Sequence, residues 1–387
     1  MPLAIFLLTR VVDGALLVWV GRDQLPAQML PGQVVPTSVD PTTYLHLVAN
    51  WDGQWYRQIA DHGYPRELPT DHGSVAQNAW AFYPVFPGLI RLVMLSGASF
   101  GLAASVVSLT SGATAMCLLY HMLMPSLGRF ASSLNVLALC TYPAAVVLQA
   151  AYSESLALLL ILVALWCLRE QRYGALLVTG LVLSLARPIV LPLALVVGVH
   201  WLVRWRRRRT EEFPRTDAIR LGVVGAVLVA CFLIWPAIAG IVTGRADAYF
   251  VTANAWYGDD THGWPSWLVV LVGGGEVGPT VVIGVAVVIF GILIARPVTR
   301  LWGLELRTWA WAYPLYLLGS TRPTSSIIRY AMLAIVPWWP FPDVGQHVRS
   351  TGQRLALAAF VGVVGLLSQY LWLRWFYVLD PSSLSFP

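Results

Sequence analysis

Apolar segments separated by short polar loops occupy most of this chain. The runs at 3–20, 98–123 and 220–243 reach the length of about 17–25 residues that an α-helix needs to cross the hydrocarbon layer of a membrane. Further apolar segments lie at 132–150, 155–169, 174–186, 188–204, 277–296, 307–320, 328–343 and 354–376. The pattern predicts an all-α polytopic membrane protein, a single domain over residues 1–387 with about 11 transmembrane helices.

Prolines and arginines modify this pattern at two places. Arg187 and Pro188 separate the segments 174–186 and 188–204. Proline lacks an amide donor and disfavours helical conformation at the residue before it, so we expect a tight turn or a broken helix there. Three residues interrupt the segment 80–97, namely Pro84, Pro87 and Arg91. We therefore interpret this segment as interfacial, lying at the membrane surface.

The composition agrees with a membrane protein. Of 387 residues, 57% are hydrophobic and 11% are charged, whereas a soluble domain has about 25% charged residues. The net charge is +6, and all 25 basic residues are arginine because the chain has no lysine. The arginines cluster in short loops. That distribution carries orientation information and is not a nucleic-acid-binding surface. The absence of lysine, together with the richness in Ala, Val, Leu and Gly, indicates a GC-rich bacterial genome.

The arginine-rich loops also predict an orientation. With 80–97 at the surface, they all fall on one face, which the positive-inside rule assigns to the cytoplasm. These loops contain Arg129, Arg169–Arg172, Arg204–Arg209, Arg296 with Arg300, and Arg349 with Arg354. Residues 21–97 then form a large first extracytoplasmic loop with interfacial helices, and residues 244–276 form a second one. We expect a multi-pass protein of the plasma membrane with its functional site on the extracytoplasmic face.

Nucleotide chemistry is not indicated. The glycines at 273–275 neither follow a strand nor open a helix, as a phosphate-binding loop requires. A site on the outer face would need a donor carried by the membrane itself.

The densest polar and aromatic pattern lies at 51–64. Trp51, Trp55 and Ile59 recur at i, i+4 and i+8, which predicts a short helix lying flat on the membrane with aromatic residues at the headgroup boundary. Asp52 lies in its first turn, where a carboxylate can accept a proton from a sugar hydroxyl. The alternative is that Asp52 is only the N-cap of this helix.

Several short motifs, taken in order, resemble the PIG-V family of mannosyltransferases. They are Asn50-Trp51-Asp52-Gly53 with Trp55-Tyr56, Ile59-Ala60 and Gly63-Tyr64; Phe82-Tyr83-Pro84 with Phe86-Pro87 and Ile90-Arg91; Tyr152-Ser153-Glu154-Ser155; Ala186-Arg187-Pro188; and Arg329-Tyr330 with Pro337. The resemblance spans roughly residues 45–340.

The resemblance implies a GT-C-like bundle and a function. It implies transfer of mannose from polyprenyl-phosphate mannose, with inversion, and with Asp52 as the general base. A bacterial chain suggests an envelope glycolipid, lipoglycan or glycoprotein as the acceptor. No cofactor and no divalent metal are expected. The rival interpretation from another class is a polytopic transporter or a flippase for lipid-linked sugars.

A leaving lipid phosphate needs positive charge near it. We expect Arg187 and Arg329 to provide this charge, followed by Arg91 and Arg322. Placing an arginine at membrane depth costs free energy. The alternative to phosphate binding is therefore that each arginine pairs with a carboxylate such as Glu154, or extends its charged end to the membrane interface. Glu154 is itself either an acceptor contact or a salt-bridge partner. The candidates for lining the sugar and acceptor pocket are Trp51, Trp55, Tyr56, Tyr83, Tyr152, Glu154 and Tyr330; the alternative for the aromatic residues is membrane anchoring.

The second loop contains Asp259, Asp260 and His262, a combination that can bind a divalent cation. Polar residues in a loop need no ligand to explain them, so we interpret this segment as a solvated loop without a metal site.

Overall fold

The computed structural model describes residues 1–24, 43–257, 263, 265–267 and 288–378. These residues are mainly helical. The helices are α1 (Pro2–Val20), α2 (Tyr44–Leu47), α3 (Asp52–His62), α4 (Val85–Met94), α5 (Phe100–Cys140), α6 (Glu154–Arg169), α7 (Tyr173–Ser184), α8 (Val190–Arg207), α9 (Arg215–Cys231), α10 (Ile234–Thr243), α11 (Ala248–Tyr257), α12 (Leu304–Ser320), α13 (Ser326–Ala331), α14 (Val344–His347) and α15 (Thr351–Trp372). Residues 288–295 are also helical.

Shorter elements connect these helices. Two-residue strands, β1 (Thr70–Asp71) and β2 (Ser74–Val75), pair antiparallel. One-turn 3₁₀ segments lie at Gly21–Asp23, Ala79–Ala81, Ala145–Gln149, Pro297–Trp302, Met332–Ala334 and Val336–Trp338. A π-helical turn, Leu373–Tyr377, follows α15. The residues Asp259, Asp260 and His262 lie outside the described part of the chain.

The protein is an all-α polytopic membrane protein, as the apolar pattern predicts. Within the described residues, four helical stretches are at least 18 residues long and apolar enough to cross a membrane: Pro2–Val20, Phe100–Cys140, Arg215–Thr243 and Thr351–Tyr377. The break expected at Arg187 is present, because α7 ends at Ser184 and α8 begins at Val190.

Helix α5 is bent where the sequence predicts two separate segments. The backbone of Gly128 has φ 74° and ψ 173°, and Pro125 lies one turn before it. Glycine adopts this positive φ at little cost, whereas a side chain would strain it. The helix continues after Gly128 only to Cys140, so the prediction of a helix over 132–150 is wrong for its last ten residues. Those residues form a turn and the 3₁₀ segment Ala145–Gln149.

The predicted spanning helix over 328–343 is also wrong. Only α13 is α-helical there, and two 3₁₀ turns follow it, separated by Ile335 with φ 71°. Prolines at 337, 340 and 342 explain this, since each removes an amide donor that a continuous helix requires. The apolar composition reflects burial against the rest of the protein, because Met332–Val336 are buried.

Short helices lie between the long ones on the side where α1 ends and α5 begins. Helix α2 precedes α3, and α3 packs on α4. Helix α5 packs on α1 and α6, while α8 packs on α9 and α12. The last long helix, α15, contacts α5 but leaves most of its apolar side chains exposed. The short helices therefore meet the ends of the long bundle at one edge, which is where the candidate site forms.

A buried ion pair within α1 contacts the segment where α5 ends. Arg10 Nη2 lies 2.7 Å from Asp13 Oδ2, and both side chains are buried. The same guanidinium donates to the carbonyl oxygens of Cys140, at 2.6 Å, and Ala145. Gln369 of α15 donates to Asp13 at 3.4 Å. Arg10 therefore satisfies carbonyl groups that become available where α5 ends inside the bundle.

We expect Arg10→Met to lower the free energy of unfolding by about 3–5 kcal/mol, because it leaves the Asp13 carboxylate buried without its partner. The double variant Arg10→Met/Asp13→Leu should recover part of this loss, since no charge then remains buried. Thermal unfolding of the purified protein in detergent measures both effects. A double variant less stable than Arg10→Met would contradict this account of the pair.

Candidate active site

Four charged side chains meet at the edge formed by the short helices. Asp52 is the first residue of α3, Glu154 is the first residue of α6, and Arg329 belongs to α13. Arg187 lies in the break between α7 and α8. Each of these positions is a helix end or a short turn, so the four side chains converge from four separate parts of the chain.

One guanidinium nitrogen connects the two carboxylates. Arg329 Nη1 lies 2.7 Å from Asp52 Oδ2 and 2.7 Å from Glu154 Oε1. Arg187 Nη1 lies 2.8 Å from the same Glu154 oxygen and donates to Ser153 Oγ at 3.1 Å. Glu154 is thus the ion-pair partner of both arginines, whereas Asp52 contacts Arg329 alone. The two carboxylates balance the two guanidinium groups in formal charge.

The four side chains differ in how far they reach open space. The Glu154 side chain is fully buried and that of Arg329 is 3% exposed, whereas the Asp52 side chain is 25% exposed. Arg187 is 13% exposed. Asp52 is therefore the acid that an incoming molecule can contact. Glu154 is placed to hold the two arginines in position.

The backbone before Asp52 is strained. Trp51 has φ 56° and ψ −113°, a conformation that non-glycine residues rarely adopt. Its indole Nε1 donates to the carbonyl oxygen of Tyr377 at 2.7 Å. Trp51, and not Asp52, occupies the N-cap position of α3. The Asp52 side chain points to Arg329, so the interpretation of Asp52 as only an N-cap does not describe this site.

Small residues bring α3 close to the segment before α6. A Cβ atom on Gly53 would lie 3.1 Å from Cβ of Ala151. The amide of Ala151 donates to the carbonyl oxygen of Val48 at 2.8 Å. Tyr56, one turn after Asp52, donates its hydroxyl to Ser153 Oγ at 3.0 Å. These contacts fix Asp52 beside Glu154 although the two are about a hundred residues apart in the sequence.

Burial raises the pKa of Asp52 above the ordinary range of an aspartate. The Arg329 guanidinium opposes this shift by favouring the carboxylate, and Glu154 adds to it by disfavouring a second negative charge. A base with a raised pKa accepts a proton more readily from a hydroxyl group.

Two predicted aromatic residues lie directly at the charged cluster. The Arg329 guanidinium is 4.7 Å from the ring centre of Tyr152 and 4.9 Å from that of Tyr330. Arg187 lies 5.3 Å from the ring centre of Tyr330. Cation–π contacts of this length favour the charged form of the arginines and restrict their orientation.

The other predicted residues lie on or beside α3, α4 and α13. Trp55 stacks on Phe82 and contacts Trp256 edge-on. The Tyr83 hydroxyl donates to the hydroxyl of Tyr249 at 3.0 Å. Arg91 lies exposed on α4 and forms no ion pair with another described residue. Arg322 is half-buried between α12 and α13.

Two residues at the site were not among the predicted ones. Ser153 accepts hydrogen bonds from both Tyr56 and Arg187. It lies within the motif Tyr152-Ser153-Glu154-Ser155, which is the signal that indicates it. Tyr377 accepts from Trp51 and donates to the carbonyl oxygen of Leu47 at 2.8 Å. No local pattern around Tyr377 indicates this role.

No family model and no curated protein matches this sequence. Among solved structures, the fold is similar to that of ArnT from Cupriavidus metallidurans bound to undecaprenyl phosphate, with a TM-score of 0.52 and 16% identity over 94% of this chain. It is also similar to the Archaeoglobus fulgidus oligosaccharyltransferase, in complex with Zn and sulfate, with a TM-score of 0.49 and 13% identity; 98% of this chain and 53% of that chain are covered.

This chain matches 64% of the length of ArnT. At 16% identity this similarity shows the fold alone. The predicted all-α, GT-C-like architecture is therefore confirmed. The resemblance to the PIG-V family stays a prediction from the sequence motifs.

We expect Glu154→Gln to lower the free energy of unfolding by about 3–5 kcal/mol, because it leaves two arginines at a buried neutral group. Asp52→Asn should cost less, since Asp52 is partly exposed and Arg329 keeps its contact with Glu154. Thermal unfolding in detergent compares the two variants. Equal losses of stability, or a larger loss for Asp52→Asn, would show that Glu154 does not hold the cluster together.

Proposed function

We propose that this protein is a membrane glycosyltransferase that moves a mannose from polyprenyl-phosphate mannose to an acceptor hydroxyl. The observation that carries the proposal is the partly exposed Asp52 carboxylate in a cluster with the buried Arg329 and the half-buried Arg187. The fold supports it, because the ArnT structure with the same architecture is bound to undecaprenyl phosphate, a polyprenyl phosphate. The order of the motifs that resemble PIG-V mannosyltransferases favours mannose as the sugar.

Asp52 acts as the general base in this mechanism. Its carboxylate takes the proton of the acceptor hydroxyl while the hydroxyl oxygen attacks the anomeric carbon of the donor sugar. The bond between that carbon and the phosphate oxygen breaks, and the sugar is transferred with inversion. Asp52 suits this role because it is the more exposed of the two carboxylates in the cluster and its pKa is raised.

The leaving phosphate gains a negative charge as the sugar departs. Arg187 and Arg329 are positioned to neutralise it, since both are already fixed by Glu154. A guanidinium group binds phosphate oxygens through directed, charge-assisted hydrogen bonds. Because Glu154 and the tyrosines Tyr152 and Tyr330 hold these groups before the donor arrives, little reorganisation is needed during the reaction.

Arg329 also connects donor binding to the base. Its Nη1 atom contacts Asp52. A donor phosphate that binds Arg329 competes for this guanidinium and brings a negative charge towards Asp52. Both effects raise the pKa of Asp52, so the base becomes stronger once the donor is bound.

The acceptor lies at the extracytoplasmic face in this proposal. The positive-inside rule assigns the arginine-rich loops to the cytoplasm, and the predicted topology then puts Asp52, in the first loop, on the opposite face. An envelope glycolipid, lipoglycan or glycoprotein of a bacterial plasma membrane fits this location. The aromatic residues Trp55, Tyr56 and Tyr83 flank the cluster on the side of α3 and α4, where the acceptor approaches.

We expect Asp52→Asn to lower the rate of sugar transfer at least about a hundredfold, because an amide cannot accept the proton. The matched control is Asp61→Asn, an exposed aspartate at the other end of α3, which should transfer at the parent rate. Transfer of radiolabelled mannose from polyprenyl-phosphate mannose to membrane acceptors measures both variants.

Two results of this assay would contradict the proposal. Full activity of Asp52→Asn would remove the assigned base. If the parent protein transfers no sugar from any polyprenyl-phosphate donor but moves such lipids across vesicles, it is a transporter or flippase.

The pH dependence tests the exchange of Arg329 between Asp52 and the donor phosphate. Activity should fall with decreasing pH as Asp52 becomes protonated. The midpoint of this fall should lie at higher pH for kcat/KM of the acceptor at saturating donor than for kcat/KM of the donor. The first midpoint reports the pKa of Asp52 in the complex with donor, and the second reports its pKa in the free enzyme.

Coincident midpoints would show that donor binding leaves the pKa of Asp52 unchanged, and Arg329 would not be shared. A midpoint that moves to lower pH with donor bound would contradict the proposed direction. The control is Asp61→Asn, whose two profiles should match those of the parent protein.

A further inference from the structure

A groove lies at the end of the bundle opposite to Asp52. Helix α15 runs from Thr351 to Trp372, and the turn that follows brings Tyr377 to Trp51 beside the candidate site. A helix of 22 residues is about 33 Å long, which matches the thickness of the hydrocarbon layer. The beginning of α15 therefore lies at the other membrane boundary.

The break in α5 opens this groove. Gly128, with φ 74°, interrupts α5 between Pro125 and Arg129, and the segment 342–346 lies across from it. The cavity has a volume of ≈ 310 Å³, at the lower end of the range of ligand sites in proteins. Its charged lining residues are Arg129, Asp343 and Arg354.

The lining matches a singly charged anion. Two guanidinium groups and one carboxylate leave one net positive charge, which complements the single negative charge of a phosphate diester. The Arg354 side chain is held in place, because its Nε donates to the carbonyl oxygen of Val348 at 3.1 Å and its guanidinium lies 5.4 Å from the ring centre of Phe130. Asp343 Oδ2 lies 3.9 Å from His347 Nδ1, and Asp343 contributes the one negative charge of the groove lining.

The surface next to the groove is apolar. Directly after Arg354, α15 exposes Leu355, 67% accessible, followed by Phe360, Val363 and Leu367 along its length. In a membrane-spanning helix such side chains face lipid tails. A molecule with a phosphate in the groove and hydrocarbon chains along α15 would satisfy both surfaces at once.

We propose that this groove is a binding site for an anionic phospholipid. The phosphate diester of the headgroup binds Arg129 and Arg354, and the acyl chains lie against the exposed face of α15. The groove lies on the face that carries the arginine-rich loops, where anionic lipids concentrate if that face is cytoplasmic. This site is separate from the Asp52 cluster and does not depend on the proposed reaction.

The amount of lipid that stays bound distinguishes a specific binding site from general attraction to a charged surface. The full chain, in detergent mixed with phosphatidylcholine and phosphatidylglycerol, is analysed by native mass spectrometry for bound phosphatidylglycerol. We expect Arg129→Gln/Arg354→Gln to weaken this binding at least about tenfold, because two charge-assisted hydrogen bonds are lost. The matched control is Arg300→Gln/Arg349→Gln, which removes two exposed arginines from the same face outside the groove lining and should bind as the parent does.

A third variant should strengthen lipid binding instead of weakening it. Asp343→Asn removes the negative charge from the groove and should bind phosphatidylglycerol more tightly than the parent, which a damaged fold would not produce. Equal weakening by both arginine pairs would overturn the proposal in favour of surface charge. Binding of glycerophosphoglycerol, the same diester headgroup without acyl chains, with the same affinity as the lipid would overturn the role of α15. Unchanged binding in Arg129→Gln/Arg354→Gln would overturn the site itself.

Discussion

The burial of the Glu154 carboxylate between two arginines is the constraint on which the candidate site depends. A buried charge is tolerated only when it is paired, and Glu154 pairs with Arg187 and Arg329 simultaneously. Because Arg187 comes from the α7–α8 connection and Arg329 from α13, the ion pairs join α6 to both of these elements. Asp52 then completes the charge balance from α3. The ion pairs that form the polar site therefore also hold these elements together.

The two carboxylates contact the same guanidinium nitrogen but differ in their surroundings. Glu154 is fully buried, while a quarter of the Asp52 side chain reaches open space. In the proposed mechanism, the acid that stabilises the site is thus distinct from the acid that meets the acceptor. A single buried acid that held the arginines and also accepted a proton would lose its hold on them at each turnover. Two carboxylates on one arginine avoid this conflict.

Sequence patterns predict the helical elements of this site better than they predict its contacts. Apolar length indicates the long helices, and the break at Arg187 follows from Pro188. The apolar segment 328–343 is misleading, because composition does not distinguish a spanning helix from buried 3₁₀ turns, and its prolines exclude the former. The motifs select Asp52, Glu154, Arg187 and Arg329 individually. Their pairing joins residues up to 277 positions apart, and no periodicity in the sequence contains that information.

The strained backbone at Trp51 shows that the position of Asp52 is a property of the whole fold. A positive φ at a tryptophan is costly and persists only where surrounding contacts enforce it. Here the carbonyl of Tyr377 holds the Trp51 indole, and the Tyr377 hydroxyl holds the carbonyl of Leu47. The first loop and the end of α15 are joined at this point. An isolated peptide of α3 would lack both contacts, so it would place Asp52 at a helix start without directing it towards Arg329.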